Sequence, residues 1–367
     1  MNEKYTNLSY ICEINLPSKS AQAIHIAKMC DAFSSINYKV TLYLPFTDSG
    51  YQEIKKTYNL KNQFIIKNIF KKKTKLNFFN KIKFILQILK KQKLYFDSLI
   101  ITRSPITSIT LSSFGIENIL ELHHELIGLT YIYYKICKYL GFTKKIKFIF
   151  LHYNLVKKFD LVNNKYICLN DAVDINDFDL ENYSVPKSQN KCIYIGSFYQ
   201  GKGIELIYKI AKKSPDIDFD LYGNIETLTM KYHLKNIRFK GQLNYAEIPK
   251  ILNNYRVALM PYQSKVSVTS SNNIDVSKSM SPLKMFDYLA SGKIIIASKL
   301  DVYRHILEDQ YNCYLVDPTD VDKWQKTLIN VMNNNVEDKK ISNNAIKTAE
   351  IFTWNKRAKL IKNFFSN

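Results

Sequence analysis

The chain has 367 residues, 46% hydrophobic and 23% charged, which predicts a globular protein long enough for two domains and excludes a disordered one. Lysine and arginine number 53 against 32 acids, a formal net charge of +21, which favours anionic partners. The six cysteines form no CxxC pair or other metal spacing, so they are expected to be reduced, buried thiols in a cytosolic protein. The first residues lack a basic stretch followed by a clean apolar run, and no apolar run approaches the ~18 residues of a membrane span. Neither a signal peptide nor a membrane helix is expected.

In chain order, 8–14 reads as a strand, 20–36 as an amphipathic helix and 38–45 as a strand; a helix over 78–93 leads into strand 97–104, a short helix and strand 117–124. Apolar strands separated by amphipathic helices predict a parallel sheet covered on both faces. Two segments stand out by charge. Residues 61–93 hold eleven lysines and no acid, and 131–158 is basic, acid-free and rich in aromatics. Such segments fit an anionic surface such as lipid headgroups, a lipid diphosphate or nucleic acid. They equally fit lysines placed at the solvated positions of ordinary helices.

Residues 161–190 are polar and loop-rich, with Pro186 near their end, and read as a hinge. Alternation then resumes. Strands are expected at 191–197, 217–223, 236–241, 256–262, 293–298 and 313–317, and helices near 203–213, 245–254, 282–291, 301–308 and 320–334. This is a second doubly wound unit, in which ligands bind outside the carboxyl ends of strands. Residues 263–280 read as a Ser/Asn-rich loop and 349–367 as a basic amphipathic helix.

The first strand of the second unit runs into a turn carrying Gly196, Ser197, Gly201, Lys202 and Gly203, then a helix. Glycine permits close backbone approach, a helix start offers unpaired N–H groups, and Lys202 adds a full charge, so the turn fits a phosphate. A P-loop needs Ser or Thr after the lysine, where Gly203 stands, and a dinucleotide fingerprint needs a third glycine where Leu206 stands. A nucleotide-diphosphate cradle and a plain solvated turn remain. In 281–292, SPLKMFDYLASG, Ser281 is expected as N-cap with Pro282 at the first helical position, leaving the Leu283 and Lys284 amides as donors. Asp287, one turn on, is either an acid favoured by the helix dipole or a ligand for two vicinal ribose hydroxyls. The DxD in 216–220 is read as a solvated strand start, not a metal site.

Several motifs in order resemble the family-4 retaining glycosyltransferases, which have the GT-B fold: two Rossmann-like, doubly wound α/β domains facing a central cleft. They are NDAVDINDF at 170–178, YIGSFYQGKGIELI at 194–207, FKGQLNYAEIPKILNNYRVALMPY at 239–262, SPLKMFDYLASGKIIIAS at 281–298 and FTWNKRAKLI at 352–361. The N-terminal likeness is weaker: 17–33 resembles the family's glycine-rich loop, with Ala21 and Gln22 where glycine is expected, and 119–128 resembles a strand end whose histidine faces the donor sugar, here His123. Without the resemblance, His123 reads equally as a core histidine. The resemblance implies an acceptor-binding domain over 1–170, a hinge over 171–190, a nucleotide-sugar domain over 191–348, and a terminal helix over 349–367 that crosses back. It implies a hexosyltransferase with His123, Lys202 and Asp287 in catalysis. Gly223, Gly241, Pro261 and Tyr262 join the donor site, and neither metal nor cofactor is required. The family's paired acids E-x7-E map onto Ser279 and Asp287, which puts the first acid's role in doubt, and Ser197 stands where many members carry an arginine that shares the diphosphate with Lys202.

The expected reaction moves a sugar from a nucleotide diphosphate sugar to a glycan or lipid-linked acceptor with retention, in bacterial surface polysaccharide synthesis. The expected location is cytoplasmic, peripheral on the inner membrane, with the lysine-rich first domain on anionic lipid. A phosphorylase or sugar-nucleotide epimerase of the same fold is the enzyme alternative, and an epimerase would need ionisable residues around the sugar ring. A basic nucleic-acid-binding protein would need a recognised module, and the sequence offers none.

Overall fold

The computed structural model describes residues 6–75, 77–90, 98–159, 161, 164–178, 190–228, 233–267, 274–333 and 336–366. Lys91–Lys93 of the expected 78–93 helix, residues 162–163 and 179–189 of the expected hinge and residues 268–273 of the Ser/Asn-rich loop lie outside them. The chain forms two compact units, Met1–Asn170 with Trp354–Asn367, and Asp171–Thr353.

Unit 1 contains β1 (Asn7–Ile11), α1 (Ala21–Ser35), β2 (Lys39–Leu44), α2 (Tyr51–Tyr58), β3 (Ile65–Asn68), α3 (Phe78–Leu89), β4 (Ser98–Thr102), α4 (Pro105–Ser113), β5 (Asn118–Leu122), α5 (Gly128–Tyr139), β6 (Ile146–Phe150), α6 (Tyr153–Val156) and β7 (Tyr166–Cys168). Its seven strands lie in the order β3-β2-β1-β4-β5-β6-β7, and every pairing is parallel. The central strands are apolar on both faces because helices cover both. Leu99, Ile100, Ile101, Ile119 and Leu120 are all buried. Six elements of unit 1 escape the sequence reading, α5 and α6 among them. β3 and α2 are short and polar, β6 sits inside the lysine–aromatic segment, and β7 sits inside the expected hinge.

Unit 2 contains β8 (Lys191–Ile195), α7 (Ile204–Lys213), β9 (Asp218–Tyr222), β10 (Ile237–Gly241), α8 (Ile248–Leu252), β11 (Val257–Met260), α9 (Leu283–Ala290), β12 (Ile294–Ser298), β13 (Tyr314–Val316), α10 (Val321–Met332) and α11 (Val336–Ile351). Its order, β10-β9-β8-β11-β12-β13, is again all parallel. The chain winds outward from β8 to β10, then returns to add β11 on the other side, so a topological switch lies between β8 and β11. The expected helix at 301–308 is a single 3₁₀ turn, Asp301–Tyr303. The expected tail helix is broken: α11 ends at Ile351, and α12 (Trp354–Ser366) starts after Phe352–Thr353. Within unit 2, the Phe352 ring packs on Phe286, and the Val173 amide donates to the Phe352 carbonyl at 3.0 Å. Within unit 1, α12 packs on α1. The cysteines are free, as expected, but Cys168 is exposed, because it ends edge strand β7.

Helix α9 is pinned to the end of β8. The Ile195 N–H donates to the Tyr288 hydroxyl at 2.8 Å, and Tyr288 is fully buried. Tyr288→Phe leaves that amide without its acceptor, so it is expected to cost about 1–3 kcal/mol, read as a lowered urea midpoint; an unchanged midpoint would show that the bond does not hold α9.

Candidate functional site

The turn after β8 is laced onto the loop after β11. The Gln263 N–H donates to the Gly201 carbonyl at 2.9 Å, the Ser267 N–H donates to the Gln200 carbonyl at 3.1 Å, and the Tyr194 hydroxyl donates to the Ser197 carbonyl at 2.8 Å. Gly203 has φ +90°, and a Cβ there would lie 1.9 Å from the Pro261 carbonyl oxygen. This glycine is therefore demanded by strand–turn packing as well as by backbone angle. Gly196, with φ +150°, leaves room instead for the Lys284 ammonium, 2.5 Å from where its Cβ would be. Gly223 packs behind the turn against the Gly196 carbonyl, and Gly241 ends β10 with open space at its Cβ position.

Two lysines converge here. Lys284 Nζ sits 3.6 Å from the Tyr194 ring centroid and 5.3 Å from that of Tyr262, and Lys202 Nζ lies 5.2 Å from the same Tyr262 ring. The rings give each ammonium cation–π contact. Among the described residues, Lys284 Nζ has no hydrogen-bond partner. Burial pushes Lys202 down to about 8, and burial followed by repulsion from Lys202 pushes Lys284 well below the usual lysine range. The two desolvated lysines share one aromatic wall, an arrangement that a multiply charged anion would complement.

The entry to α9 differs by one residue from the expectation. Pro282 is the N-cap, with no side-chain cap bond, and Leu283 is the first helical residue. The Ser281 hydroxyl accepts the Asp171 N–H at 2.9 Å, so it anchors residue 171 instead of capping the helix. The Leu283 and Lys284 amides remain first-turn donors by helix geometry. Asp287 follows Lys284 by three positions, on the same side of α9. It is 3% exposed and accepts the Tyr245 hydroxyl at 3.0 Å. Ser279 is buried without a charge, and its amide donates to the Val276 carbonyl. The DxD carboxylates are tied up locally: Arg238 bonds Asp218 at 2.5 Å and Asp220 at 2.8 Å, and the Tyr255 hydroxyl donates to Asp220 at 2.6 Å.

Unit 1 places His123 beside Glu121 at the end of β5. Glu121 Oε1 lies 2.8 Å from His123 Nε2, 2.8 Å from His25 Nε2 on α1, and 2.9 Å from Arg357 Nη2 on α12. The Trp354 ring stands edge-on to His25, with centroids 5.2 Å apart. Burial alone would raise Glu121, but Arg357 and the two histidines hold its carboxyl well below the usual range. Burial and the nearby Arg103 lower His123 to about 3, so its ring is neutral. Its Nε2–H then donates to the carboxylate, which leaves Nδ1 with a lone pair. His25, Glu121 and His123 have their ligand atoms within 4.8 Å of one another. Arg357 already sets a positive charge on the shared oxygen, so the trio works as a charge network. A cavity of about 70 Å³ opens beside it, lined by Gln22, Arg103, His123, His124 and Leu126 among others. Sequence reasoning finds His123 but misses His25, Glu121, Arg103 and Arg357 as its neighbours. Trp354 and Arg357 fall in the closing-helix motif, which by itself assigns them no partner.

Residues 176–348 match the family model described as glycosyl transferases group 1. An uncharacterised glycosyltransferase of Methanocaldococcus jannaschii is 21% identical over 172 residues, 45% of this chain, and the match spans 44% of that relative's length. Sucrose-phosphate synthase of Thermosynechococcus elongatus has a similar solved structure, with a TM-score of 0.70 at 13% identity, covering 98% of each chain. HepE of Anabaena, solved in complex with UDP-glucose, gives 0.69 at 12% identity, covering 98% of this chain and 99% of that one. The two parallel Rossmann-like units thus define the GT-B class of glycosyltransferase fold. Lys202, Lys284 and Asp287 all fall within the segment that matches the model of the glycosyl transferases of group 1.

Two outcomes follow from the charges. Lys284 binds its proton more weakly folded than unfolded, so at neutral pH it costs stability, and that cost fades as pH rises toward the unfolded lysine value of about 10.4. Lys284→Met is expected to raise Tm at pH 7 and to raise it less at pH 10; a lowered Tm at pH 7 would contradict the desolvated charge. His123 has the same sign of shift with a different window. Its contribution is complete above the unfolded histidine value of about 6.5 and is lost as pH falls toward about 3. Ring ¹⁵N shifts should therefore report a neutral His123 at pH 5, and a protonated ring there would refute the assignment.

Proposed function

We propose that this chain is a retaining hexosyltransferase that moves a sugar from a nucleotide diphosphate sugar to a glycan or lipid-linked acceptor in surface glycan synthesis, on the cytoplasmic side of the membrane. The observation that carries the reading is the pair of desolvated lysines, Lys202 and Lys284, at the switch between β8 and β11. A diphosphate supplies the negative charge that complements them. Negative charge grows on its β-phosphate as the glycosidic bond breaks, and donors already aimed at that position lower the barrier. In this reading two ammonium groups and the α9 amides carry that charge, so no metal or organic cofactor is called for.

Asp287 is assigned to the donor ribose, because it follows Lys284 along α9 and offers a buried carboxylate already aligned by Tyr245. We assign His123 to the transferred sugar as a neutral group that accepts a hydrogen bond at Nδ1. Gly196, Gly201, Gly203, Gly223 and Gly241 shape the turns, and Pro261 and Tyr262 wall the phosphates. The similar HepE structure was solved with UDP-glucose, which supports a uridine nucleotide as the first donor to try.

A calorimetric screen of UDP, GDP, ADP and CDP should find one nucleotide that binds with net proton uptake at pH 8, because an anion restores the lysine charges. Lys202→Ala should lower kcat/KM by about 10²-fold, equivalent to ~3 kcal/mol of transition-state stabilisation. Wild-type turnover in that variant, or no binding of any nucleoside diphosphate, would sink the reading.

A further inference from the structure

The crossovers β3–α3–β4, β4–α4–β5 and β5–α5–β6 all advance in the same direction across the seven-stranded sheet. Right-handed connections then place α3, α4 and α5 on one face, and these helices touch in that sequence. α3 and α5, one from each lysine-rich segment, are thus the two edges of one helical layer. The outer side of that layer is unusually apolar. Leu129 is 84% exposed, Tyr139 91% and Phe79 77%, and Ile127, Ile132, Ile136, Leu140 and Phe142 are exposed beside α5. Ile82 and Leu86 continue the pattern on α3, with Phe114 at the end of α4. So many large apolar side chains on one face mark an interaction surface.

The charge around them decides the partner. Lys135, Lys138, Lys144 and Lys145 flank the α5 group, Lys81, Lys83 and Lys90 flank the α3 group, and residues 126–159 contain no acid. A second copy of the chain would bring lysines against lysines at a net charge of +21 per copy. Nucleic acid would satisfy the lysines but leave Leu129, Ile132, Ile136 and Leu140 with nothing apolar to enter. An anionic bilayer satisfies both, with acyl chains for the aliphatic residues, the headgroup boundary for tyrosine, and negative lipid for lysine.

We infer that the outer side of the α3–α4–α5 layer docks on an anionic lipid surface, with Leu129, Ile132, Ile136, Tyr139 and Leu140 entering the headgroup boundary. This goes beyond the donor chemistry and does not depend on it. α5 begins shortly after His123, His124 and Leu126, which line the unit 1 cavity. The docked surface and that cavity therefore share one loop, and a lipid-borne acceptor would be presented beside it.

The test is flotation of the full chain with vesicles of phosphatidylcholine alone or mixed with phosphatidylglycerol, at low and high salt. The chain should float with the anionic vesicles at low salt and release as salt rises. The triple variant Leu129→Ser, Tyr139→Ser, Leu140→Ser should lower the bound fraction by at least about tenfold. These side chains are exposed, so its Tm should match wild type. Lys135→Gln with Lys138→Gln should weaken binding to anionic vesicles without creating binding to neutral ones. Failure to float at low salt, or equal flotation of the triple variant, would overturn the inference. So would concentration-dependent self-association in sedimentation equilibrium that the triple variant abolishes, which would assign the face to a second copy.

Discussion

Two ammonium groups share one aromatic wall in unit 2, and among the described residues the Lys284 ammonium has no hydrogen-bond partner. Charge buried in this way is unstable alone, so the surrounding backbone must hold it. Gly196 vacates the space that the Lys284 ammonium takes, Gly203 lets the turn close onto Pro261, and Tyr288 ties α9 to the end of β8. At the switch between β8 and β11 two loops leave the sheet in different directions, which supplies both walls of such a site. The desolvation that the two lysines suffer is what a polyanion bound between those walls would relieve.

Unit 1 handles charge in the opposite way. Glu121 is buried and surrounded by Arg357, His25 and His123, so its negative charge is matched locally. A matched network of this kind fixes geometry more than it adds stability. Here it fixes the ring nitrogen through which His123 is bonded, and it draws α12 and α1 onto the end of β5. The last helix of the chain is thereby part of the scaffold around His123.

The outer face of unit 1 adds a third use of charge, where lysines lie beside exposed aliphatic and aromatic side chains. In unit 2 the cations of the candidate site are buried and few. On the α3–α4–α5 layer they are solvated and many, and their stems add to the apolar surface. An anion as small as a diphosphate suits the first arrangement, and an extended anionic surface suits the second.

Local pattern was enough for the two doubly wound sheets, because strand and helix periodicity are local and repeat in order. It also located the turn at Gly196–Gly203, where three glycines and a lysine lead into the start of α7. What it missed were elements whose own residues carry a weak signal: polar β3 and α2, β6 hidden among lysines, and the 3₁₀ turn at Asp301–Tyr303. The partners came only with the packing. The motif names Lys284 for its amide, but its side chain acts through Tyr194, 90 positions away by the numbering. Asp287 meets Tyr245 across 42 positions, and Glu121 meets Arg357 across 236. Helices α3 and α5, from the two lysine-rich segments, came to one face through the hand of their crossovers. Periodicity reports which side of an element is buried; which side chains meet there depends on how distant elements stack, and no local pattern records that.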